Sequence, residues 1–215
     1  MSAAPHPLDG ERVRIVEERV LADDWYVLRK TTFDYRCRDG RWQRQSRETY
    51  DRGNGAVLLL FNADQDTVVL TRQFRFPAYV NGCEDGLLIE ACAGLLDGQD
   101  PHSCILREAQ EETGFRVRSP RKILEAYMSP GSVTEKLHFF VAEYAARDRV
   151  FAGGGEASEG EDIEVMEVPL SAALQMIANG GIQDGKTILL LQYAALNGLG
   201  NLRRDAAIDA GARSD

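Results

Sequence analysis

Long apolar runs are missing from this 215-residue sequence. The longest, 56–61 and 188–191, fall far short of the ~20 residues that a bilayer-spanning helix needs. The opening residues, MSAAPHPLDGER, carry neither the basic nor the apolar region of a secretory leader, so a cytoplasmic setting is expected. Cysteine is scarce, and Cys37, Cys83, Cys92 and Cys104 form no CxxC pair or other zinc spacing. They read as small half-buried residues in a reducing compartment. Basic runs are missing as well. Net charge is −9, which argues against nucleic acid or an anionic membrane as partner. A polyanionic substrate meets net repulsion, so any phosphate site must be built locally from Arg, Lys or a metal ion.

What the sequence does contain is enough apolar residue, 44%, for a real core. From Val13 to Tyr50 the pattern predicts strands, at Val13-Ile15, Trp25-Leu28 and Thr31-Tyr35, with Arg38-Asp39-Gly40 as a hairpin turn. Ala56-Phe61 and Val68-Gln73 predict a second hairpin through Asn62-Ala63-Asp64. Leu87-Ala91 reads as a strand running into Ala93-Gly94. A helix follows, with Asp100 as its cap, Pro101 in its first turn and Gly114 at its end. Strands are predicted at Leu124-Met128, Leu137-Tyr144 and Ile163-Val168, and helices at Ser171-Asn179 and Lys186-Leu199. Gly153 to Gly160 reads as a flexible acidic loop. This order predicts an α+β fold, a mixed sheet between helices in an α/β/α sandwich. Three parts are expected: a β-rich extension over 1–52, a main domain over 53–199 and a disordered tail over 200–215.

The helix after Asp100 carries the chemistry. Glu108, Glu111 and Glu112 sit at i, i+3 and i+4, so they crowd one face. Like charges at that spacing destabilise a helix and raise each other's pKa unless a cation lies among them. Mg²⁺ is a hard ion that takes oxygen ligands, and a carboxylate cluster suits it.

Arg107-Glu108-Ala109-Gln110-Glu111-Glu112-Thr113-Gly114-Phe115, behind the glycine-bearing Ala93-Gly94-Leu95-Leu96-Asp97-Gly98, resembles the signature box of the Nudix hydrolases. One departure stands in the first half of the box. The sixth position after Gly94 is Asp100 and not glutamate, and six residues instead of seven separate it from Arg107. Beyond the box, Arg72-Gln73-Phe74-Arg75, Glu90, Tyr50-Asp51-Arg52-Gly53-Asn54-Gly55-Ala56, Tyr127-Met128-Ser129-Pro130-Gly131, Glu161-Asp162-Ile163 and Asp184-Gly185-Lys186-Thr187 resemble the ADP-sugar and GDP-mannose branch of that family. The likeness spans about residues 12–196.

The resemblance implies Mg²⁺-dependent (or Mn²⁺-dependent) hydrolysis of the diphosphate in a nucleotide sugar. GDP-mannose, giving GMP and mannose 1-phosphate, is the first expectation and ADP-ribose or another ADP-sugar the alternative. A non-catalytic Nudix-fold nucleotide-binding module is the third. Implied metal ligands are the Ala93 carbonyl, Glu108, Glu112 and Glu161. Glu112, Glu135 and Glu111 are the implied catalytic carboxylates, with Glu135 or Glu112 taking the proton of the attacking water. Arg75 is implied at the diphosphate, because its planar fork donates two hydrogen bonds. Lys186, Gly94 and Leu95 are implied at the substrate as well. Trp25, Arg47 and Glu48 match positions around the nucleotide, some of them supplied by the partner subunit of a homodimer. The chain departs from the branch at Trp25, where the branch has tyrosine, and at Ser46, where the branch has lysine.

Overall fold

The computed structural model describes residues 6–203, which fall into two units. In the first, β1 (Val13–Asp23), β2 (Val27–Arg36) and β3 (Trp42–Asp51) form an antiparallel sheet in that order. Gly40 closes the β2–β3 hairpin in the left-handed region, as a hairpin turn requires. β1 is kinked by two register shifts, at Ile15/Glu17 and Val20/Ala22. Trp25, expected inside a strand, lies instead in the bend between β1 and β2, where Asp23-Asp24 favours a turn. A single strand, β2, replaces the two short ones expected there.

Residues 127–135 belong to this same unit, although the sequence reading assigned them to the main domain. The reason is backbone pairing. Tyr50 donates its N–H to the Ser132 carbonyl at 2.8 Å and accepts from Thr134 N at 3.1 Å. The Thr134 hydroxyl reaches Asp51 Oδ1 at 3.0 Å.

The second unit runs over Gly55–Ala126 and from Lys136 onward. Its strands are β4 (Gly55–Asn62), β5 (Thr67–Phe74), β6 (Leu87–Glu90), β7 (Cys92–Leu95), β8 (Arg121–Tyr127), β9 (Lys136–Glu143) and β10 (Glu164–Pro169). The path is β10-β5-β4-β9-β8, with β6 paired to β5 and β7 to β4. β4 and β9 are parallel while β4–β5, β5–β6 and β4–β7 are antiparallel, so the sheet is mixed. Every residue of β4 is buried. A strand covered on both faces reads as a continuous apolar run, which is why Ala56-Phe61 shows no alternation.

The unit also contains α1 (Phe76–Val80), α2 (Pro101–Thr113), α3 (Leu170–Ala178) and α4 (Gly185–Asn197). Ala56, Leu58 and Leu60 share one core with Cys104, Ile105 and Ala109 of α2. Val57, Leu59 and Phe61 point to the other face, and α4 also packs on β4. The expected α+β arrangement, a mixed sheet between helices, is therefore what the chain forms. Short α1 was not expected from the sequence. Residues 199–203 are helical and bury Leu199 and Leu202, so that stretch is packed and not a tail. The rest of the expected tail lies outside the described residues.

No described residue of the N-terminal unit is buried, and Val16, Val20 and Leu21 of β1 are exposed. A three-stranded sheet needs a covered hydrophobic face to be stable alone. A fragment of residues 1–54 is therefore expected to show no cooperative thermal transition by circular dichroism. A sharp transition would mean that the sheet holds itself together.

Candidate active site

α2 places its glutamates by helical arithmetic. Asp100 accepts from His102 N and Ser103 N, Pro101 occupies the first turn, and Gly114 ends the helix at φ 76. Ile105, Ala109 and Glu112 then fall on one stripe facing the sheet, so Glu112 is carried into the core. Glu108 lies at the stripe's edge with its side chain 12% exposed, and Glu111 lies further out. Arg107 bridges the last two, with Nη2 on Glu108 Oε1 at 2.7 Å and Nη1 on Glu111 Oε2 at 2.5 Å. By exposure the three glutamates thus divide into an inner pair, Glu108 and Glu112, and an outer one, Glu111, with Arg107 bonded to both Glu108 and Glu111.

Burial is the main reason that the inner pair resists ionisation. For Glu112 it is offset by a hydrogen bond from the Cys92 thiol and reinforced by the charges of Glu108 and Glu161, leaving a pKa of about 8. Glu108 reaches about 7 through burial, opposed by Arg107 and reinforced by Glu111 and Glu161. The Cys92 thiol is itself pushed up, by burial and then by Glu112, and stays protonated.

Two glycine segments bring the remaining groups close. Ala93 N donates to Glu112 Oε2 at 3.3 Å, and a Cβ on Gly94 would overlap the Glu108 carboxylate. Leu95 offers its carbonyl to the Cys104 thiol at 3.2 Å. The Gly153-Gly154-Gly155 run was expected to be a free loop, but its first half is pinned. Gly154 N and Gly155 N donate to the carbonyls of Glu112 and Glu111, at 2.9 and 3.1 Å. A helix C-terminus leaves its last carbonyls unsatisfied, and these glycines fill that need from the left-handed region. A Cβ on Gly155 would collide with Glu161, whose Oε2 accepts from Glu156 N at 2.9 Å. Glu161 is therefore folded onto the glycine run, within electrostatic reach of Glu108 and Glu112.

Arg75 and Lys186 were expected at the substrate, and both are held by one buried carboxylate. Arg75 Nε and Nη2 grip Glu90 at 2.9 and 2.8 Å. Lys186 Nζ lies 2.8 Å from Glu90 Oε2 and 3.0 Å from Asp184 Oδ1. Glu90 and Asp184 received no role in the sequence reading. The signal was there: an acidic residue three places before Ala93, and Asp-Gly-Lys-Thr opening a helix.

The N-terminal unit holds the other expected residues, and it does not bring them into one cluster. Trp25 is 82% exposed in its bend. Arg47 pairs in register with Thr31 and Glu48 with Lys30, so the two point to opposite faces of β3. Arg47 donates to the Ser46 carbonyl and to Gln45 Oε1, and it lines a groove with Thr49, Tyr127 and Pro130. Ser46 hydrogen-bonds Thr32 across the pair. Glu135 lies 3.3 Å from Arg52 Nε.

Among the described residues, no three His, Cys, Asp or Glu side chains are already drawn into one ligand cluster. The chemistry of the donors nonetheless fits a hard divalent cation. They are oxygens, two are buried and repel each other, and the nearby thiols are protonated.

Two outcomes follow. Unfolded, Glu108 and Glu112 titrate near 4.5; folded without metal, at about 7 and about 8. The folded chain then holds the extra protons, so their contribution to stability is full below pH 4.5 and is lost as pH rises through 7 and 8. Adding Mg²⁺ should release protons near neutral pH, and the thermal midpoint it adds should grow as pH rises through this window. Calorimetry in buffers of differing ionisation heat measures the release; zero release would mean that both carboxylates are already ionised. Secondly, Asp100→Ala should cost about 1 kcal/mol in denaturant unfolding without altering metal dependence, because Asp100 caps the helix.

Comparison with known proteins agrees with this geometry. Residues 51–191 match the NUDIX domain, and residues 12–50 match the GDP-mannose pyrophosphatase NudK N-terminal domain. A GDP-mannose pyrophosphatase of Pectobacterium atrosepticum is 55% identical over 186 residues, 86% of this chain and 95% of the relative. Relatives of the same name from Salmonella arizonae and Escherichia coli O1:K1 are 52% and 53% identical, each over 88% of this chain and 98% of the relative. A match over most of the chain, which takes in the helix that carries the glutamates of the signature box, places the chain in the Nudix hydrolase family.

Proposed function

We propose that this enzyme hydrolyses GDP-mannose to GMP and mannose 1-phosphate, with Mg²⁺ (or Mn²⁺) as its cofactor. The observation that carries the reading is the pair Glu108 and Glu112, one helical turn apart on the inward side of α2, whose pKa values burial raises to about 7 and about 8 even though Arg107 pairs with Glu108. Glu108, Glu112, Glu161 and the Ala93 carbonyl would hold the metal. When bound, it would neutralise diphosphate oxygens and acidify a coordinated water. GDP-mannose is chosen because the relatives at more than 50% identity carry that name and because the N-terminal match extends the likeness.

The protein's own groups do the rest. Arg107 bridges Glu108 and Glu111 and so fixes both carboxylates on α2. Arg75 keeps an unused Nη1 edge beyond Glu90, suited to a phosphate oxygen. Glu135, paired with Arg52, is assigned as proton acceptor on the family resemblance, with Glu112 as the alternative. Trp25 offers an exposed indole on which a guanine can stack. A homodimer is part of the reading. The N-terminal sheet buries nothing by itself, and a second copy would cover it. A cytoplasmic setting fits the unpaired Cys92 and Cys104, and no described helix is long and apolar enough to cross a membrane.

A substrate panel tests the proposal. With Mg²⁺, kcat/KM should be highest for GDP-mannose over ADP-ribose and other sugar nucleotides, GMP should appear, and EDTA should abolish turnover. Glu161→Gln should keep the thermal midpoint while kcat falls on the order of 10²-fold. Preference for ADP-ribose would move the enzyme to the neighbouring branch. Normal turnover in the variant would remove Glu161 from the mechanism.

A further inference from the structure

Glu90 is buried, and both of its carboxylate oxygens are bonded to cations. Its side chain is 4% exposed. Its carbonyl accepts from the Thr71 hydroxyl at 3.2 Å, in register with the β5 residue opposite. The next amide, Ala91 N, donates to the Thr187 hydroxyl at 2.6 Å. That hydroxyl donates in turn to Asp184 Oδ2 at 2.6 Å, the acid that caps α4. Both carboxylate oxygens are taken as well, by Arg75 and by Lys186. Burial works against the charge, yet these cations outweigh it and Glu90 remains an anion down to about pH 2. Removing one partner from such a buried set strands the others.

The bonding leaves a pattern. Two donors of Arg75 and two of the three N–H groups of Lys186 are used. Each cation thus keeps donor capacity, aimed by a carboxylate that cannot move. Two cations and two anions cancel, so the assembly is buried at little net charge. Ala93, whose N–H meets Glu112, lies three residues further along the same backbone.

We infer that Glu90, locked by Thr187 and Asp184 at the head of α4, is a positioning residue that aims Arg75 and Lys186 at the substrate's diphosphate. It touches no substrate itself; it acts through the two cations. The inference rests on the proposed phosphoanhydride hydrolysis, not on the choice of GDP-mannose. A group displaced by about 1 Å costs on the order of 10²-fold in rate, and that is the loss expected when the aim is lost.

Glu90→Gln is the test, with each measurement made on whichever sugar nucleotide the wild type hydrolyses fastest. Inactive wild type would refute the proposed function itself, whereas the positioning role is read from the ratio of variant to wild type. We expect kcat to fall on the order of 10²-fold. We also expect the alkaline limb of the kcat profile to move to lower pH by about one unit or more. The groups facing Lys186 are Glu90 on β6 and Asp184 ahead of α4, with Arg75 beyond Glu90. Losing Glu90 withdraws the charge that keeps a buried ammonium protonated. A variant with kcat within about threefold of wild type, or with a lowered kcat and an unmoved alkaline limb, overturns the inference. Loss through partial unfolding would lower kcat without moving the limb. Should Glu90→Gln fail to fold, Asp184→Asn removes the other anion while Arg75 stays gripped. It must shift the same limb downward with a smaller loss, about tenfold, and an unmoved limb there is equally decisive against it.

Discussion

Two glutamates that should be charged are buried where charge is costly. Glu108 and Glu112 sit one helical turn apart on the face of α2 that packs toward the sheet, and burial raises both pKa values. Nothing in a stable core calls for this. Ile105 and Ala109 on the same stripe do what core residues do; Glu112 interrupts them. The fold tolerates the interruption because β4 is buried along its whole length and α2 is capped at both ends. Stability is supplied around the site, and the site draws on it.

The surrounding groups make sense as responses to that one constraint. Gly94 exists so that Glu108 can lie against the backbone of β7. The 153–155 glycines close the end of α2 and leave Glu161 folded against them. Arg107 bridges Glu108 and Glu111 and partly offsets their negative charge. Glu90 does the complementary job on the cationic side, fixing Arg75 and Lys186. The acids proposed to hold metal and the cations proposed to receive phosphate are thus held by two networks, joined through the short backbone from Glu90 to Ala93.

Much of this was legible in the sequence, and the failures have physical causes. The helix from Pro101 to Gly114 was readable to the residue, because Asp100, Pro101 and Gly114 are cap signals with local mechanisms. The fully buried β4 was readable as an unbroken apolar run. The departure from the box at Asp100 falls on the residue expected to cap the helix, and the amides of His102 and Ser103 donate to its carboxylate as that role requires. Pairing of residues 127–135 with β3 was not readable, because strand partners distant in sequence leave no local trace. Arg75 and Lys186 were expected at the substrate, but no pattern in one sequence says that both will find the same glutamate. Trp25 was placed in a strand on its aromatic character, yet the acidic pair before it makes a bend.

The central claim is that Glu108 and Glu112 are buried together in order to hold a divalent cation. A crystal grown with Mn²⁺ and measured for anomalous scattering tests it most directly. The account predicts a strong anomalous peak within bonding distance of both carboxylates, with Glu161 and the Ala93 carbonyl turned toward it. Carboxylates pointing apart with no peak between them, in a crystal of active enzyme, would contradict it.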